Sequence, residues 1–191
     1  MNLSIGNYSF DTATFFTFYK IPVSFLIEEP VLKKKYLEYA RILHPDFYTQ
    51  AEDNSIQENA LYLATINNQA YQTLSDFERR MAYILQIKGK ISENDKQKAL
   101  PTEFLMEMMD INEAIDDLST DNNKNNEGLQ RLVEKVAEME IQTVNQITPL
   151  LNGYRENEEN DVFWEEIKIF FYKQQYLLRI KKTLRTFAPQ L

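Results

Sequence analysis

The sequence predicts an all-α protein in which an N-terminal helical hairpin precedes a C-terminal antiparallel three-helix bundle. Apolar residues recur at helical spacing along most of the chain, and no sustained two-residue alternation bounded by hairpin turns is found. The 191 residues include only 4 Gly and 6 Pro, which argues against a loop-rich or fibrous chain. With 43% hydrophobic residues, the chain can bury a core.

Polar, charged residues from 89 to 100 read as a linker, so the predicted domains are residues 1–88 and 101–191. The first ten residues are polar and predicted to be loose. A short helix follows from Phe15 to Tyr19, stopped by Ile21-Pro22. The remaining predicted helices of this domain run from near Pro30 to before Pro45, from about Ser55 to Leu74, and from about Asp76 to Lys88.

A loop from Phe47 to Asn54 separates the two long helices of the hairpin, and Leu32, Tyr36, Ala40 and Leu43 are predicted to face inward. The bundle is predicted from helices 101–118, 129–152 and 160–187, with an Asn- and Asp-rich loop from Ser119 to Gly128. The short connections favour antiparallel neighbours.

The composition excludes several classes of function. A net charge of -8 disfavours nucleic-acid binding, because phosphate recognition needs a clustered cationic surface. The absence of cysteine excludes disulfides, thiolate zinc sites and cysteine nucleophiles. No apolar run is long enough to span a bilayer, and no signal peptide is visible. We therefore expect a cytoplasmic protein with no nucleic-acid or membrane partner, no metal and no cofactor.

A basic segment leads into the only histidine of the chain. Its cations are Lys33, Lys34, Lys35 and Arg41, and the tripeptide His44-Pro45-Asp46 follows them. Taken alone, the tripeptide is a helix stop, since Pro breaks the helix and Asp favours a turn. The basic helix before it and the long helix after it predict instead a hairpin with a polar turn at its tip. Pro45 fixes the backbone there, so the flanking polar groups are presented with little loss of entropy.

An enzymatic role for His44 is the alternative. The chain has no second His and no Cys to complete a common zinc site, and nothing marks a serine nucleophile or an oxyanion hole. We therefore expect no enzymatic activity, and an exposed tip at His44 instead of a deep cavity.

The predicted helix from Pro101 to Leu118 has two apolar sides. Phe104, Met108, Ile111, Ile115 and Leu118 form the stripe expected to face the bundle. On the other side, apolar side chains are mixed with acidic ones: Leu105, Met106, Met109, Asp110, Glu113 and Asp117. This side is either a protein-binding surface or a face that packs on the neighbouring domain. On the last helix, Ile169, Tyr172, Tyr176 and Ile180 lie outside the main core face and leave the same two alternatives open.

The N-terminal half resembles the J-domain family. The matching features are the short aromatic helix with Ile21-Pro22, the basic helix, His44-Pro45-Asp46, and the segment INNQAYQTLSD from Ile66 to Asp76. The resemblance implies that Lys33, Lys34, Lys35, Arg41 and the His-Pro-Asp turn bind a DnaK-type chaperone and stimulate its ATPase. Phe47 stands where many relatives carry Lys.

The whole chain resembles the HscB family of iron–sulfur cluster co-chaperones, through the segments ERRMAYILQIKG (78–89) and TEFLMEMMDINEAIDDL (102–118). The resemblance implies an IscU-type scaffold as client and an HscA/DnaK-type chaperone as partner. Carried over by position, the scaffold contacts are Leu105, Met106, Met109, Asp110, Glu113, Asp117 and Tyr176. Asp110 and Asp117 stand where relatives often carry Glu, which keeps the charge and shortens the reach. A J-domain protein with another client is the alternative.

Overall fold

The computed structural model describes residues 2–5, 8–49, 54–91, 100–120, 126–155 and 160–187. The chain divides into two compact units. The N-terminal unit comprises Met1–Lys88 and Tyr154–Asn157, and the C-terminal unit comprises Gly89–Gly153 and Glu158–Leu191. The predicted linker lies largely in residues 92–99, outside the described residues.

The N-terminal unit begins with two short strands and continues with helices. Its elements are β1 (Asn2–Ile5), β2 (Tyr8–Asp11), α1 (Phe15–Tyr19), α2 (Glu29–Ile42), a 3₁₀ helix (Pro45–Tyr48), α3 (Asn54–Ser75) and α4 (Phe77–Ile87). α2 packs against α3 and forms the predicted helical hairpin. The predicted loop 47–54 is partly 3₁₀ helix, and its residues 50–53 lie outside the described part of the chain.

The prediction of a loose N-terminus is wrong. β1 and β2 pair antiparallel, with Leu3 opposite Phe10 and Ile5 opposite Tyr8. Ile5 and Phe10 are 1% and 2% exposed. The ring of Phe10 lies edge-on to that of Tyr39, with 5.2 Å between centroids. Burial of these side chains against the helices holds the hairpin in place, although two strands alone are only marginally stable.

Local signals in the sequence set the helix ends. Thr14 and Thr17 form a capping box at the start of α1, and Lys20 ends that helix in the left-handed conformation with a φ of 54°. Asp76 caps α4, as predicted, by accepting a hydrogen bond from the backbone N–H of Arg79 at 2.8 Å. Gly89, the predicted stop, has a φ of 64°, a conformation that favours glycine.

The inward face of α2 differs from the predicted one. Leu32 and Leu43 are buried as predicted, but the third buried residue is Tyr39 instead of Tyr36 or Ala40. Tyr36 is half-buried and stacks on Tyr71 of α3, with 4.4 Å between ring centroids. Tyrosine suits this half-buried position because its ring packs on Tyr71 while its hydroxyl donates a hydrogen bond to Oδ1 of Asn68 at 3.2 Å.

Asn67 of α3 is the buried polar centre of the N-terminal unit and is 1% exposed. The hydroxyl of Tyr19 donates to its Oδ1 at 2.8 Å and lies 2.9 Å from its carbonyl oxygen. Its Nδ2 donates to the carbonyl oxygen of Tyr36 at 3.2 Å. One amide side chain therefore joins α1, α2 and α3. Burial raises the pKa of Tyr19 far above its usual range, so the hydroxyl stays protonated and remains a donor.

The C-terminal unit consists of three helices in mutual contact, α5 (Thr102–Thr120), α6 (Asn126–Gly153) and α7 (Asp161–Phe187). The predicted loop 119–128 is shorter than expected because both flanking helices extend into it, and residues 121–125 lie outside the described residues. The all-α fold class is confirmed, with the two-stranded sheet as a small addition. The core draws on all three helices: Phe104, Met108, Ile111, Ile115, Val136, Leu177, Ile180 and Leu184.

The second side predicted for α7 is largely inside. Tyr172 and Ile180 are 5% and 2% exposed, and Trp164 is 1% exposed, as expected of a core residue. Neither Tyr172 nor Ile180 can extend a client surface. None of the described helices combines the length and apolarity needed to cross a membrane.

Replacement of Tyr19 by Phe tests the polar centre. Tyr19→Phe removes the hydroxyl and leaves Oδ1 of Asn67 without that donor in a buried site, at a cost of about 1–3 kcal/mol. We expect the free energy of unfolding of the N-terminal unit to fall by this amount, measured by urea denaturation with circular dichroism. Tyr62→Phe is the matched control, because Tyr62 is 50% exposed. Equal effects of the two substitutions would show that the buried bond contributes nothing.

Candidate protein-docking surfaces

The cations of α2 form the first candidate surface, called here the basic face: Lys33, Lys34, Lys35 and Arg41. Lys33, Lys34 and Arg41 are exposed, and Lys35 is half-buried. Lys34 and Arg41 lie near the middle of the outward side, opposite buried Leu32. Lys33 and Lys35 are about 200° apart around the helix, so they flank this side from opposite edges. Among the described residues, none of these cations forms an ion pair within the chain.

The His-Pro-Asp turn follows directly on the basic face. α2 ends where the backbone N–H of Leu43 bonds to the carbonyl of Tyr39 at 2.8 Å. His44 leaves the helix with extended backbone angles, and Pro45 starts the 3₁₀ helix. Proline suits this position because its ring fixes φ and its missing N–H has no helical partner there. The side chains of His44 and Asp46 are 54% and 82% exposed.

The ring of His44 has one nitrogen occupied and one available. Its Nδ1 accepts a hydrogen bond from the backbone N–H of Asp46 at 3.3 Å. The neutral ring therefore carries its proton on Nε2, which is free to donate outward. Nδ1 also lies 3.7 Å from Oδ2 of Asp46, a distance that allows an ion pair when the ring is protonated. The tip thus presents a donor beside a carboxylate.

Hydrogen bonds hold the turn in one conformation. The hydroxyl of Tyr48 donates to the carbonyl of Ile42 at 2.7 Å and ties the 3₁₀ helix back to α2. The hydroxyl of Thr49 donates to the carbonyl of Asp46 at 3.1 Å. The 3₁₀ helix also packs against α3. A turn held in this way loses little conformational entropy when it binds a partner.

The predicted exposed tip is confirmed, since the side chain of His44 is 54% exposed. Beside the turn lies a shallow groove of about 190 Å³, lined by Ala40, Leu43, His44, Pro45, Ala64, Asn67 and Asn68. In this groove the structure places no second acid, base or nucleophile next to His44. Within the described ranges no group of acidic or histidine side chains is arranged to hold a metal ion.

The second candidate surface is the outward side of α5, called here the α5 surface. Its members are Leu105, Met106, Met109, Asp110, Glu113 and Asp117. The predicted core stripe of α5 is buried, apart from half-buried Leu118. Met106 and Met109 are 60% and 70% exposed, and Leu105 is half-buried. The carboxylates are all exposed. Met109 is therefore not packed within the C-terminal unit. Both alternatives for this side, a protein-binding surface and a face that packs on the neighbouring domain, stay predictions.

Tyr176 lies at the edge of the α5 surface. Its ring is half-buried and lies edge-on to Phe104, with 6.0 Å between centroids. Its hydroxyl accepts from Nδ2 of Asn112 at 3.3 Å. Asn112 is three residues after Met109, so these two side chains are neighbours on α5. The structure therefore brings Tyr176 up to the same side of the helix as Met109.

Periodicity did not single out Arg179. Its guanidinium carbon lies 4.4 Å from the ring centroid of Tyr176, and the residue is exposed. This cation–π contact places a positive charge beside the acidic α5 surface. Its only sequence signal is the spacing of three residues after Tyr176, which brings side chains together on a helix.

A helical hairpin with a basic helix and a His-Pro-Asp turn, followed by a three-helix unit, is the arrangement expected from the resemblance to J-domain proteins of the HscB type. Residues 100–185 match the family model of the HSCB C-terminal oligomerisation domain. The solved structure of chaperone HscB from Vibrio cholerae has a TM-score of 0.73 at 23% identity, over 93% of this chain and 99% of that one. The two proteins share a fold.

Curated relatives carry the same name. A co-chaperone HscB homolog from Chromobacterium violaceum is 35% identical over 107 residues, which is 56% of this chain and 61% of the relative. The chain thus covers about three-fifths of that relative. A homolog from Shewanella baltica is 28% identical over 139 residues, 73% of this chain and 79% of the relative. That alignment is longer than either compact unit and must include residues of both. The predicted resemblance to HscB-type co-chaperones is confirmed.

The exposure of His44 predicts that its side chain contributes little to the stability of the fold. His44→Gln should change the free energy of unfolding by less than about 0.5 kcal/mol, as for other surface substitutions. The amide oxygen of Gln can also accept from the Asp46 N–H. Urea denaturation compares the variant with the unsubstituted chain. A loss of more than about 1 kcal/mol would instead assign His44 a structural role.

Proposed function

We propose that this protein is a co-chaperone of iron–sulfur cluster biogenesis that binds an IscU-type scaffold and delivers it to an HscA/DnaK-type chaperone while stimulating the chaperone's ATPase. One observation carries the proposal. The chain combines an exposed, hydrogen-bonded His-Pro-Asp turn next to unpaired cations with an exposed Met-rich surface edged by carboxylates. The named relatives are bacterial co-chaperones, and we propose the bacterial cytoplasm as the place of action.

The charge distribution supports docking of the basic face and the His-Pro-Asp turn on an acidic chaperone surface. The chain carries a net charge of -8, yet the side chains of Lys34 and Arg41 are exposed and have no acidic partner among the described residues. Unpaired cations raise the association rate with an acidic surface, and the effect weakens as salt is added.

The proposed stimulation needs no chemistry from this chain. A partner whose ATPase alternates between states hydrolyses faster when a ligand binds its active state better than its resting state. The rigid turn offers the Nε2–H of His44 and the carboxylate of Asp46 as short, directional contacts for that discrimination. The catalytic groups belong to the chaperone.

The α5 surface supports binding of a folded client. Apolar side chains at the centre with charged groups at the rim are typical of specific protein interfaces. Met106 and Met109 supply flexible, polarizable contacts, and Asp110 and Glu113 form no ion pair among the described residues. Tyr176 adds an aromatic ring whose position is fixed by Asn112 and Phe104.

The proposed stimulation of the chaperone is tested by measuring ATP hydrolysis of a purified HscA/DnaK-type chaperone. We expect the unsubstituted chain to stimulate hydrolysis and His44→Gln to abolish stimulation at saturating concentration. The reason is that the flexible Gln side chain lacks the rigid ring that holds the Nε2–H of His44 in a fixed position at the tip. Arg41→Ala should raise the half-stimulating concentration severalfold, which corresponds to a loss of about 0.5–1 kcal/mol of binding free energy. Arg185→Ala removes the same charge from an exposed site on α7 and should have no effect. Full stimulation by His44→Gln would refute the proposed mechanism.

The proposed binding of the scaffold to the α5 surface is tested by isothermal titration calorimetry with a purified IscU-type scaffold. The double variant Met106→Ala, Met109→Ala should bind at least about tenfold more weakly, since central apolar contacts dominate interface energies. Val162→Ala is the matched control, because Val162 is an apolar side chain exposed to 70% outside the α5 surface. His44→Gln should bind the scaffold normally. No heat with the unsubstituted chain would indicate a J-domain protein with another client.

A further inference from the structure

Two exposed apolar side chains border the basic face and the His-Pro-Asp turn. Leu37 lies between Lys34 and Arg41 on the outward side of α2 and is 55% exposed. Phe47 follows the turn and is 70% exposed. The ring of Phe47 meets the ring of His44 at 65°, with 5.9 Å between centroids. Leu37 therefore lies among the cations of the basic face, and Phe47 lies beside the histidine of the turn.

Phe47 is held in place despite its exposure. Its backbone N–H bonds to the carbonyl of His44 at 3.1 Å, within the 3₁₀ helix that Tyr48 ties to α2. An apolar ring kept in water on a fixed backbone gains free energy when a partner covers it, with little further ordering of the chain.

Single exposed apolar residues are common and need no special explanation. Phe47 differs in its degree of exposure and in its surroundings. Its exposed fraction of 70% is matched among the large hydrophobic residues of the described ranges only by Met109 and Val162. It also touches the one side chain on which the proposed stimulation depends, and Leu37 repeats the pattern beside the cations.

We propose that Leu37 and Phe47 are apolar contacts of the chaperone-binding surface, which select a chaperone ATPase whose acidic docking site also contains an apolar patch facing the turn. This inference rests on the proposed function and specifies the partner. The unpaired cations complement an acidic site, and Phe47 requires an apolar group beside the site that receives His44.

Salt dependence separates the two kinds of contact. Attraction between exposed charges weakens as salt shortens the screening length. Burial of apolar surface is not screened in this way. A surface with Leu37 and Phe47 as contacts therefore keeps part of its affinity at high salt, whereas a purely cationic surface loses most of it.

The experiment is a titration of ATPase stimulation for a purified HscA/DnaK-type chaperone at about 50 mM and about 300 mM salt. Phe47→Ala should raise the half-stimulating concentration about tenfold at both salt concentrations, and Leu37→Ala about threefold. Phe47→Lys should lose affinity mainly at the higher salt, because a screened cation replaces an apolar contact. The maximal stimulated rate should stay unchanged, since His44 is intact.

Val162→Ala and Val162→Lys are the matched controls, with the same exposure and the same kinds of change in the other unit. Circular dichroism checks that each variant is folded. The inference is overturned if Phe47→Ala and Leu37→Ala stimulate like Val162→Ala. It is also overturned if, at the higher salt, Phe47→Lys binds the chaperone more tightly than the unsubstituted chain does. Failure of the proposed function looks different, as a lack of stimulation by the unsubstituted chain, and it overturns this inference as well.

Discussion

Asn67 joins three helices of the N-terminal unit through hydrogen bonds that are shielded from water. Its amide reaches the hydroxyl of Tyr19 on α1 and the backbone of Tyr36 on α2. A buried amide is costly unless it is satisfied, so these bonds favour one relative placement of the helices over nearby alternatives. The position of α2 on α3 in turn sets where α2 ends, and the 3₁₀ helix packs against α3 just beyond that end. The geometry of the His-Pro-Asp turn therefore depends on an interaction that lies inside the unit.

In the C-terminal unit, α5 is apolar on two sides, one that packs in the core and one that is exposed. Its inner stripe forms a core with α6 and α7, and Met108 at its centre is fully buried. The outer methionines stay in water, where apolar groups gain nothing unless a partner covers them. Tyr176 and Asn112 connect α7 to the margin between these two sides. A client that binds the α5 surface would therefore meet a helix already fixed by its neighbours.

Much of this architecture can be read from the sequence, and the omissions have physical causes. Helical periodicity and the signals at Pro45, Asp76 and Gly89 predicted the helices and the exposed turn, because these signals act over a few residues. The N-terminal hairpin was missed because each strand has only four residues, too few for a clear alternation, although Gly6-Asn7 between them is a hairpin signal. Tyr39 was missed because periodicity ranks apolar positions and does not show which of two tyrosines is covered by Phe10.

The sequence predicted which side chains share one side of a helix, but it did not predict the contacts between elements at the two candidate surfaces. The helical pattern placed Met106 and Met109 outside the core stripe, but it left open whether this side of the helix binds a protein or packs on the neighbouring domain. The placement of Tyr176 beside Asn112 depends on how α7 packs on α5, which no local pattern encodes. Likewise, nothing in the spacing shows that the ring of Phe47 rests against His44, since this depends on the 3₁₀ conformation after Pro45.

The two surfaces are chemically distinct, and on the proposed function this matters because the chain would hold two partners at once. One is cationic with a histidine and a carboxylate at its tip, and the other is apolar with an acidic rim. A partner that complements the basic face would be repelled at the α5 surface, or its charged groups would find no partner there, and the reverse holds for a partner of the α5 surface. The two binding events therefore do not compete. Simultaneous binding then raises the effective concentration of the client near the chaperone, without any new contact between them. By linkage, any preference of the chaperone for the client-bound chain is returned as tighter binding of the client in the ternary complex. On the proposed function, delivery therefore requires only that both surfaces stay accessible on one chain.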